Sequence, residues 1–328
     1  MNIFKKRYLA FVLLVSQISL GQEGLSVYSD YLSDNYYLVH PSMAGAASCG
    51  QLRVTARQQW SGQDDAPALQ TMSFNTSVGE QSGVGFIAFN DKNGYHSQVG
   101  GKITYAHHIV FNRYTRDNYD INMLSFGMSA GMVRTTLDET KFGGSYDPVI
   151  HGGMEQKDSY FNVDFGASYQ YLDFYTHLTV KNAVSSKRDL YSDIESDNLR
   201  KYLWSVGYFF GTQNDNGWTW EPSVMLQYTE ETREKAFDVN LKVHRELDFG
   251  KVWGGLSYRR NIEGAEHIKD QKIKNQKLQY ITPFVGMNYK NFMVAYTYSH
   301  LTGDVRFGNG GFHQITLGID LLCKSSRF

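Results

Sequence analysis

The stretch that decides the fold of this 328-residue chain is Phe237-Asp-Val-Asn-Leu-Lys-Val-His244. Apolar side chains alternate strictly with charged or polar ones, which is the period of a β-strand with two unlike faces. A face that carries Asp238, Lys242 and His244 is too polar for the dry core of a soluble protein. It suits a strand of a membrane barrel, which turns one face to lipid and the other to a polar lumen.

The same alternation recurs along the whole chain. Near the C-terminus, Ile315, Leu317 and Ile319 alternate with Thr316 and Gly318. We predict strands at 52–60, 69–78, 83–90, 98–110, 121–133, 160–171, 173–181, 201–211, 218–228, 236–247, 251–260, 279–289, 291–300 and 312–322. The number of predicted strands is even, as a single-chain bacterial barrel requires. The predicted fold is therefore an all-β, transmembrane antiparallel β-barrel of about 14 strands in the outer membrane.

The N-terminus predicts a cleaved signal peptide. Basic residues at 5–7 precede an apolar run of about 13 residues, and small residues at 19 and 21 suit cleavage before Gln22. The run is shorter than the roughly 20 residues that a membrane helix needs. We therefore divide the chain into a signal peptide (1–21), an N-terminal segment (22–51) and the barrel (52–328). The N-terminal segment either plugs the lumen or lies under the periplasmic mouth.

Composition and motifs exclude several classes of function. The mean hydropathy of −0.42 suits a barrel, since half of each strand faces the lumen. A formal net charge of −1 gives no basic patch for nucleic acid. The sequence lacks metal-binding and phosphate-binding motifs, so we predict no cofactor, no metal and no enzymatic activity. Gly127-Met-Ser-Ala-Gly131 matches G-x-S-x-G, but inside a strand this pattern favours small residues at a close approach.

Long and short connections alternate between the predicted strands. The longest, at about 134–159, 182–200, 261–278 and 301–311, all follow odd-numbered strands. If the mature N-terminus is periplasmic, these connections face outward, as in outer-membrane barrels. Aromatic residues near strand ends suit two interfacial belts, although ordinary strand composition also explains them. They are Trp60, Tyr95, Trp218, Trp220, Tyr228, Trp253, Tyr258 and Tyr289.

The two cysteines flank the predicted barrel. Cys49 precedes the first strand and Cys323 follows the last. Closing the barrel pairs those two strands and brings both sulfurs to the periplasmic rim. We therefore predict a disulfide across the seam, with two free buried thiols as the alternative.

Several blocks of sequence together point to one family. Tyr37-Leu-Val-His-Pro-Ser-Met-Ala-Gly45 is close to Y-x-x-N-P-x-x-A-G, and Arg57-Gln-Gln-Trp60 begins a block close to R-x-Q-W-x-G. Gly310-Gly-Phe-His-Gln-Ile-Thr-Leu-Gly318 is a later block. In this order, the blocks resemble the PorP/SprF family of outer-membrane proteins from the Bacteroidetes type IX secretion and gliding machinery. The motif positions are Tyr37, Pro41, Gly45, Arg57, Gln59, Trp60, Gly62, Pro67, Arg259, Gly311 and His313. His40 stands where the family usually has Asn.

The resemblance implies a non-enzymatic barrel that works with the type IX translocon. It would support export or surface anchoring of large proteins, including adhesins with a type B C-terminal domain. Periplasmic PorK/PorN-like ring proteins and an OmpA-like lipoprotein are the further implied partners. The block that begins at Arg57, which falls on the lumen side of its strand, either shapes a hairpin or grips a secreted partner.

The sequence is also compatible with a transport barrel, and an outer-membrane hydrolase is a second alternative. A FadL-like or porin-like transport barrel also suits fourteen strands with an N-terminal segment in the lumen. An outer-membrane lipase or protease needs a Ser–His–Asp or Ser–His–Asn group near one rim. The positions of these residues along the predicted strands do not assemble such a group.

Overall fold

Sixteen strands form among the residues that the structure describes. In this computed structural model they are β1 Gly50–Gln59, β2 Ala68–Val78, β3 Ser82–Asn93, β4 His96–Val110, β5 Asn122–Asp138, β6 Glu155–Tyr171, β7 Phe174–Lys181, β8 Lys201–Tyr208, β9 Trp218–Thr229, β10 Lys235–Leu247, β11 Gly250–Asn261, β12 Glu266–Lys269, β13 Lys272–Asn275, β14 Gln279–Tyr289, β15 Phe292–Thr302 and β16 Phe312–Leu321. The described residues are 29–59, 66–111, 122–140, 154–184, 200–211, 217–230, 232–262, 266–269, 272–275, 278–302 and 311–323.

Fourteen of these strands close into one antiparallel barrel. Each strand pairs with its neighbour in the chain, except that β11 pairs with β14, and β12 and β13 form a separate hairpin between them. The seam is closed because β1 and β16 pair in continuous register from Gly50↔Leu321 to Gln59↔Phe312. The predicted fourteen-stranded barrel is therefore confirmed. Within the described residues, no helix is long and apolar enough to cross a membrane.

The two faces of the strands differ as the alternation predicts. On β10, Val239 and Leu241 are exposed on the outer face, whereas Asp238, Asn240 and Lys242 are buried on the inner face. Lipid solvates the exposed apolar side chains in a membrane, and the buried polar ones need partners inside the barrel. The lumen is therefore the part of the molecule where polar contacts must be explained.

Three features of the barrel differ from the prediction. β5 continues to Asp138 instead of ending at 133, and β6 begins at Glu155 instead of 160, so both strands reach further outward than predicted. The β12–β13 hairpin falls in a segment that we predict as a connection. Trp253 does not belong to an interfacial belt, because it is only 3% exposed and lies in the lumen.

The N-terminal segment lies inside the barrel. It consists of a 3₁₀ turn at Asp30–Ser33, a single α-helical turn, α1, at Tyr36–Val39 and a second 3₁₀ turn at Pro41–Met43. Ser29 bonds to Gln314 near the outer end of β16, and Gly45 packs against Gly83 near the periplasmic end of β3. The segment thus descends through the lumen before it enters β1. The predicted signal peptide, 1–21, lies outside the described residues.

Candidate functional site: the plugged lumen

Residues Ser29–Gly45 form a plug that fills the lumen. We call Ser29–Asn35 its upper part, nearer the end with the long connections, and Tyr36–Gly45 its lower part. Nearly every residue of the plug is buried. Its side chains and backbone bond to strands on several sides of the barrel, including β2, β4, β7, β10 and β16. The plug therefore occupies the position that a transported molecule would need.

Charged groups hold the upper part. The Tyr31 hydroxyl donates to Asp238 Oδ2 at 2.8 Å. The same carboxylate accepts from Arg259 Nε at 2.5 Å and Nη2 at 2.6 Å, a two-bond contact between buried groups. Asp34 pairs with Lys242. Because Asp238 and Asp34 each face an opposite charge, these two contacts anchor the upper part through paired ions.

Two carboxyl groups of the upper part have shifted pKa values in opposite directions. Burial raises the pKa of Asp30, although Arg57 and a hydrogen bond from Thr55 oppose the shift. For Asp34, burial also acts to raise the pKa, but the ammonium groups of Lys242 and Lys251 outweigh it and lower the value. Asp34 is therefore an ionised partner of Lys242, which is consistent with their contact.

An apolar cluster supports the plug on one side of the lumen. Leu32 and Val39 of the plug pack against lumen-facing side chains of five strands, β8, β9, β11, β14 and β15. These wall residues are Leu203, Met225, Trp253, Phe284, Met293 and Ala295. Burying a side chain of this size contributes about 1.5–3 kcal/mol. Trp253 therefore points inward because the plug gives it an apolar surface to cover.

Close packing against glycines holds the lower part. A Cβ at Gly85 would collide with the Tyr37 hydroxyl, and one at Gly127 would collide with the Pro41 carbonyl. Gly45 has φ of +69° and approaches the β2 backbone, where an added Cβ would lie 2.7 Å from Thr76 O. The wall and the plug thus fit without side chains between them.

Neutral hydrogen bonds complete the lower contacts. The Tyr37 hydroxyl and Thr104 Oγ1 are 2.8 Å apart, and the amide of Gly45 donates to Asn75 Oδ1 at 2.9 Å. His108 Nε2 donates to the Ala44 carbonyl at 2.9 Å. His107, its neighbour in the strand, points to the opposite face, so the pair does not form a joint site.

The centre of the lumen combines tyrosine, histidine and one carboxylate. Tyr36 and Tyr175 both donate to Glu221 Oε1, at 2.7 and 2.6 Å. His40 lies between Thr179 Oγ1 at 2.8 Å and Ser205 Oγ at 3.1 Å, and its ring centroid is 4.8 Å from that of His177. Burial, with smaller effects of His177 and Lys181, holds the pKa of His40 well below 6.5. The imidazole is therefore neutral at pH 7.

A disulfide closes the seam below the plug. Cys49 and Cys323 are bonded, with their Cα atoms 4.0 Å apart. Cys49 lies between the end of the plug and the start of β1, so the bond fixes the point where the plug joins the wall. Formation of this bond in the cell remains a prediction, which non-reducing peptide mapping tests.

The structure brings motif positions from distant parts of the sequence to the lumen. The Arg57 Cζ atom lies 5.7 Å from the Phe312 ring centroid. Its guanidinium interacts electrostatically with Asp30, which attracts it, and with Arg259, which repels it. Gly311 lets β16 pass close to the Ser299 carbonyl, and the Pro67 carbonyl accepts from the amide of Gln59.

Three other motif positions do not join this group. His313 faces outward, where its Nδ1 is 2.7 Å from the Tyr296 hydroxyl. Trp60 and Gly62 lie outside the described residues. Functional roles for all the motif positions remain predictions.

The polar contacts of the lumen hold the plug in place. In the part of the chain that the structure describes, no three His, Cys, Asp or Glu side chains are grouped to hold a metal. The paired ions and hydroxyl contacts instead position the plug. The sequence does not predict that Asp238, Glu221, Gly83 and Gly85 contact the plug. The alternation along each strand indicates only that these residues face the lumen.

Comparison with known proteins identifies the family. The sequence profile of a family described as type IX secretion system membrane protein PorP/SprF matches residues 20–319. No curated protein matches the sequence significantly.

Solved barrel structures align with this chain at low sequence identity. The TodX monoaromatic hydrocarbon channel, a deltaS2 mutant, aligns with a TM-score of 0.51 at 10% identity and covers 87% of this chain and 93% of its own. The CymD monoaromatic hydrocarbon channel gives 0.47 at 11% identity, with 85% and 88% covered. BamA from Haemophilus ducreyi gives 0.41 at 8% identity, with 83% and 70% covered. At these identities the likeness concerns the fold alone.

Proposed function

Since the chain belongs to the PorP/SprF family and is an outer-membrane β-barrel of the type IX secretion system, we propose that it supports export or cell-surface anchoring of large secreted proteins. The clients in this proposal are adhesin-like proteins of gliding cells that carry a type B C-terminal domain. The barrel would act without catalysis, as a binding and anchoring element.

The observation that carries this proposal is the filled lumen. The plug runs from Ser29, beside Gln314 near the outer end, to Gly45, beside Gly83 near the periplasmic end, and is buried along its length. While the plug is in place, its described residues occupy the path that a client would take through the lumen. The work of the barrel would therefore be done at the two rims, by the outward connections and the periplasmic turns.

The two rims suit different partners. Outward connections such as 141–153 and 185–199 are long enough to bind a secreted C-terminal domain. Several periplasmic turns, such as those after Val78 and Tyr171, are only a few residues long. Short turns present a flat surface, which suits the PorK/PorN-like ring proteins and the OmpA-like lipoprotein as proposed neighbours.

Affinity purification tests the proposal directly. The tagged barrel is extracted from outer membranes in mild detergent, and copurified proteins are identified by mass spectrometry. A porin with the same tag, expressed at a similar level, is the control. We expect a client C-terminal domain or type IX components with the barrel and not with the porin. Recovery of the barrel alone would contradict the proposal.

Solute transport is the second candidate function. Many lower plug contacts are hydroxyl hydrogen bonds, such as Tyr37 to Thr104, which water can replace if the plug moves. Single-channel recording compares the wild type with a variant that lacks residues 22–48. If the plug is permanent, only the deletion conducts. Comparable conductance of the wild type would favour transport of small solutes.

A further inference from the structure

The barrel wall is much taller on one side than on the other. β5 and β6 pair over seventeen residues, whereas β7 and β8 pair over eight. With about 3.3 Å per residue and a strand tilt of roughly 40°, the difference in height is about 20 Å. A two-residue turn joins the periplasmic ends of β6 and β7, and the periplasmic ends of β5 and β8 lie beside it. The additional height of β5 and β6 is therefore at the outer side.

The outer surface of this tall wall changes character row by row. Strand register places the exposed side chains of β3 to β6 in rows that run across the strands. The row Ala88, Gly101, Met132 and Phe161 is apolar and belongs to the lipid-facing band. Above it stands the mixed row Asn90, Val99, Arg134 and Ser159. Above that stands the polar row Lys92, Ser97, Thr136 and Lys157. The change marks the passage from acyl chains to headgroups.

A cavity of about 130 Å³ opens on this outer surface, above the apolar band. Lining residues include Lys92, Tyr95, Ser97, Thr136, Asp138 and Glu155. Those on the strands have the same parity as Met132 and Phe161, so the cavity faces away from the lumen. Two rows correspond to about 10 Å of height, which places the cavity at the level of the outer headgroups.

The lining chemistry points to one class of ligand. We propose that the cavity binds the phosphorylated sugar headgroup of an outer-leaflet glycolipid. Lys92, Arg134 and Lys157 supply cations for a phosphate. Asp138 Oδ1 accepts from the amide of Thr140 at 3.0 Å and from its hydroxyl at 2.5 Å, and Glu155 accepts from Lys157 Nζ at 2.8 Å. Each carboxylate has further lone pairs that suit sugar hydroxyls. Val99, 54% exposed just below, offers an apolar surface for the acyl chains.

The position of the cations above an apolar band favours a lipid over a secreted protein as the occupant. The cations lie one and two rows above the lipid-facing band, within reach of the phosphates of a molecule anchored in that leaflet. Exposed Met132, Ile103 and Phe161 continue the surface downward without interruption. A ligand that is polar above and apolar below therefore matches the wall over its whole length.

A matched pair of double variants tests the site. R134S/K157S removes two cations beside the cavity. K235S/R260S removes one lysine and one arginine from the outer ends of β10 and β11, on the outward face of a distant part of the wall. Each protein is reconstituted in phosphatidylethanolamine and phosphatidylglycerol vesicles with and without lipid A. Bound lipid A is measured by native mass spectrometry, and the folded fraction by heat-dependent mobility.

We expect R134S/K157S to fold normally and to lose at least about tenfold in lipid A affinity, while K235S/R260S binds like the wild type. Equal losses in both variants would show diffuse attraction to the membrane and overturn the site. Unchanged lipid A binding would also overturn it. If that result came with loss of a copurified protein, the cavity would belong to a protein partner instead.

Discussion

The upper and lower parts of the plug are held by different kinds of contact. In the upper part, Tyr31 and Asp34 meet buried ions of the wall, Asp238 and Lys242. In the lower part, charged wall groups contact Tyr36, which donates to Glu221, and the Leu38 carbonyl, which accepts from Lys181. The motif residues Tyr37, Pro41 and Gly45 lie against glycine backbone and neutral polar groups. A pair of opposite charges can be replaced by another polar pair. Where the plug lies directly against a wall glycine, any larger side chain at that glycine would collide with it. This difference explains why the recognisable Y-x-x-H-P-x-x-A-G block lies in the lower part.

Loss of the central ion pair should have the largest effect on the upper part. Asp238→Asn leaves the Arg259 guanidinium buried without its counter-charge, which costs about 3–5 kcal/mol. We expect a lower urea midpoint for the refolded barrel, measured by the mobility of the folded band. Chymotrypsin should then cleave after Tyr31.

The double variant D238L/R259M is the control for this experiment. It removes both charges and should recover much of the lost stability, since no uncompensated ion remains. A double variant as unstable as the single one would mean that the pair does not act as proposed.

The seam disulfide should matter next and should act on the lower part. Replacing both Cys49 and Cys323 with Ser removes a crosslink of the unfolded chain, for which about 2–4 kcal/mol is typical. The plug ends four residues before Cys49, so cleavage after Tyr37 should increase more than cleavage after Tyr31. Non-reducing peptide mapping of the wild type comes first, because free thiols would remove the basis for this prediction.

Crowding the lower part should cost somewhat less. Gly83→Ala places a methyl group against the Ala44 carbonyl, and forced overpacking costs about 1–3 kcal/mol. Gly101→Ala is the matched control on the next strand, where the added Cβ is 3.7 Å from its nearest neighbour. We expect only G83A to expose the plug to protease. Equal behaviour of the two variants would contradict close packing of the plug.

The fold was predictable because its signal is local. Alternation on β10 or β16 is visible within ten residues, and it sets both the strand and the face. The outer ends of β5 and β6 are not predicted, because their outward-facing positions carry polar side chains and the alternation of apolar and polar residues stops there. These side chains are Arg134, Thr136, Lys157 and Glu155. Trp253 was assigned wrongly because a belt was the only apolar surface that the sequence suggested for it.

The contacts of the plug were not predictable for a different reason. Asp238 meets Arg259 through register, at 21 residues' separation, and Tyr31 through tertiary packing, at 207. No local pattern encodes the second distance. The sequence could indicate that the charges on β10 need partners, but only the path of the plug shows which groups satisfy them.

Removing single hydroxyls compares the two parts at equal chemistry. Tyr31→Phe loses a bond to a charged carboxylate, for which about 1.5–3 kcal/mol is expected. Tyr37→Phe loses a neutral bond to Thr104, for which about 0.5–1.5 kcal/mol is expected. Urea unfolding of both variants measures the difference. If Y37F proved the more damaging, the contrast between the charged contact of Tyr31 and the neutral contact of Tyr37 would be wrong.

The smallest effect should come from pH, through His40 in the lower part. Burial first, then His177 and Lys181, lowers the pKa of this imidazole in the folded state. The unfolded chain therefore binds the proton more readily, and the free energy of unfolding falls as the pH drops below 6.5. Between pH 7 and 5.5 the expected loss is about 1 kcal/mol. His40→Asn, which restores the usual residue of the family, should flatten this part of the profile and leave any contribution of His177. An unchanged slope would mean that His40 is not the group that titrates.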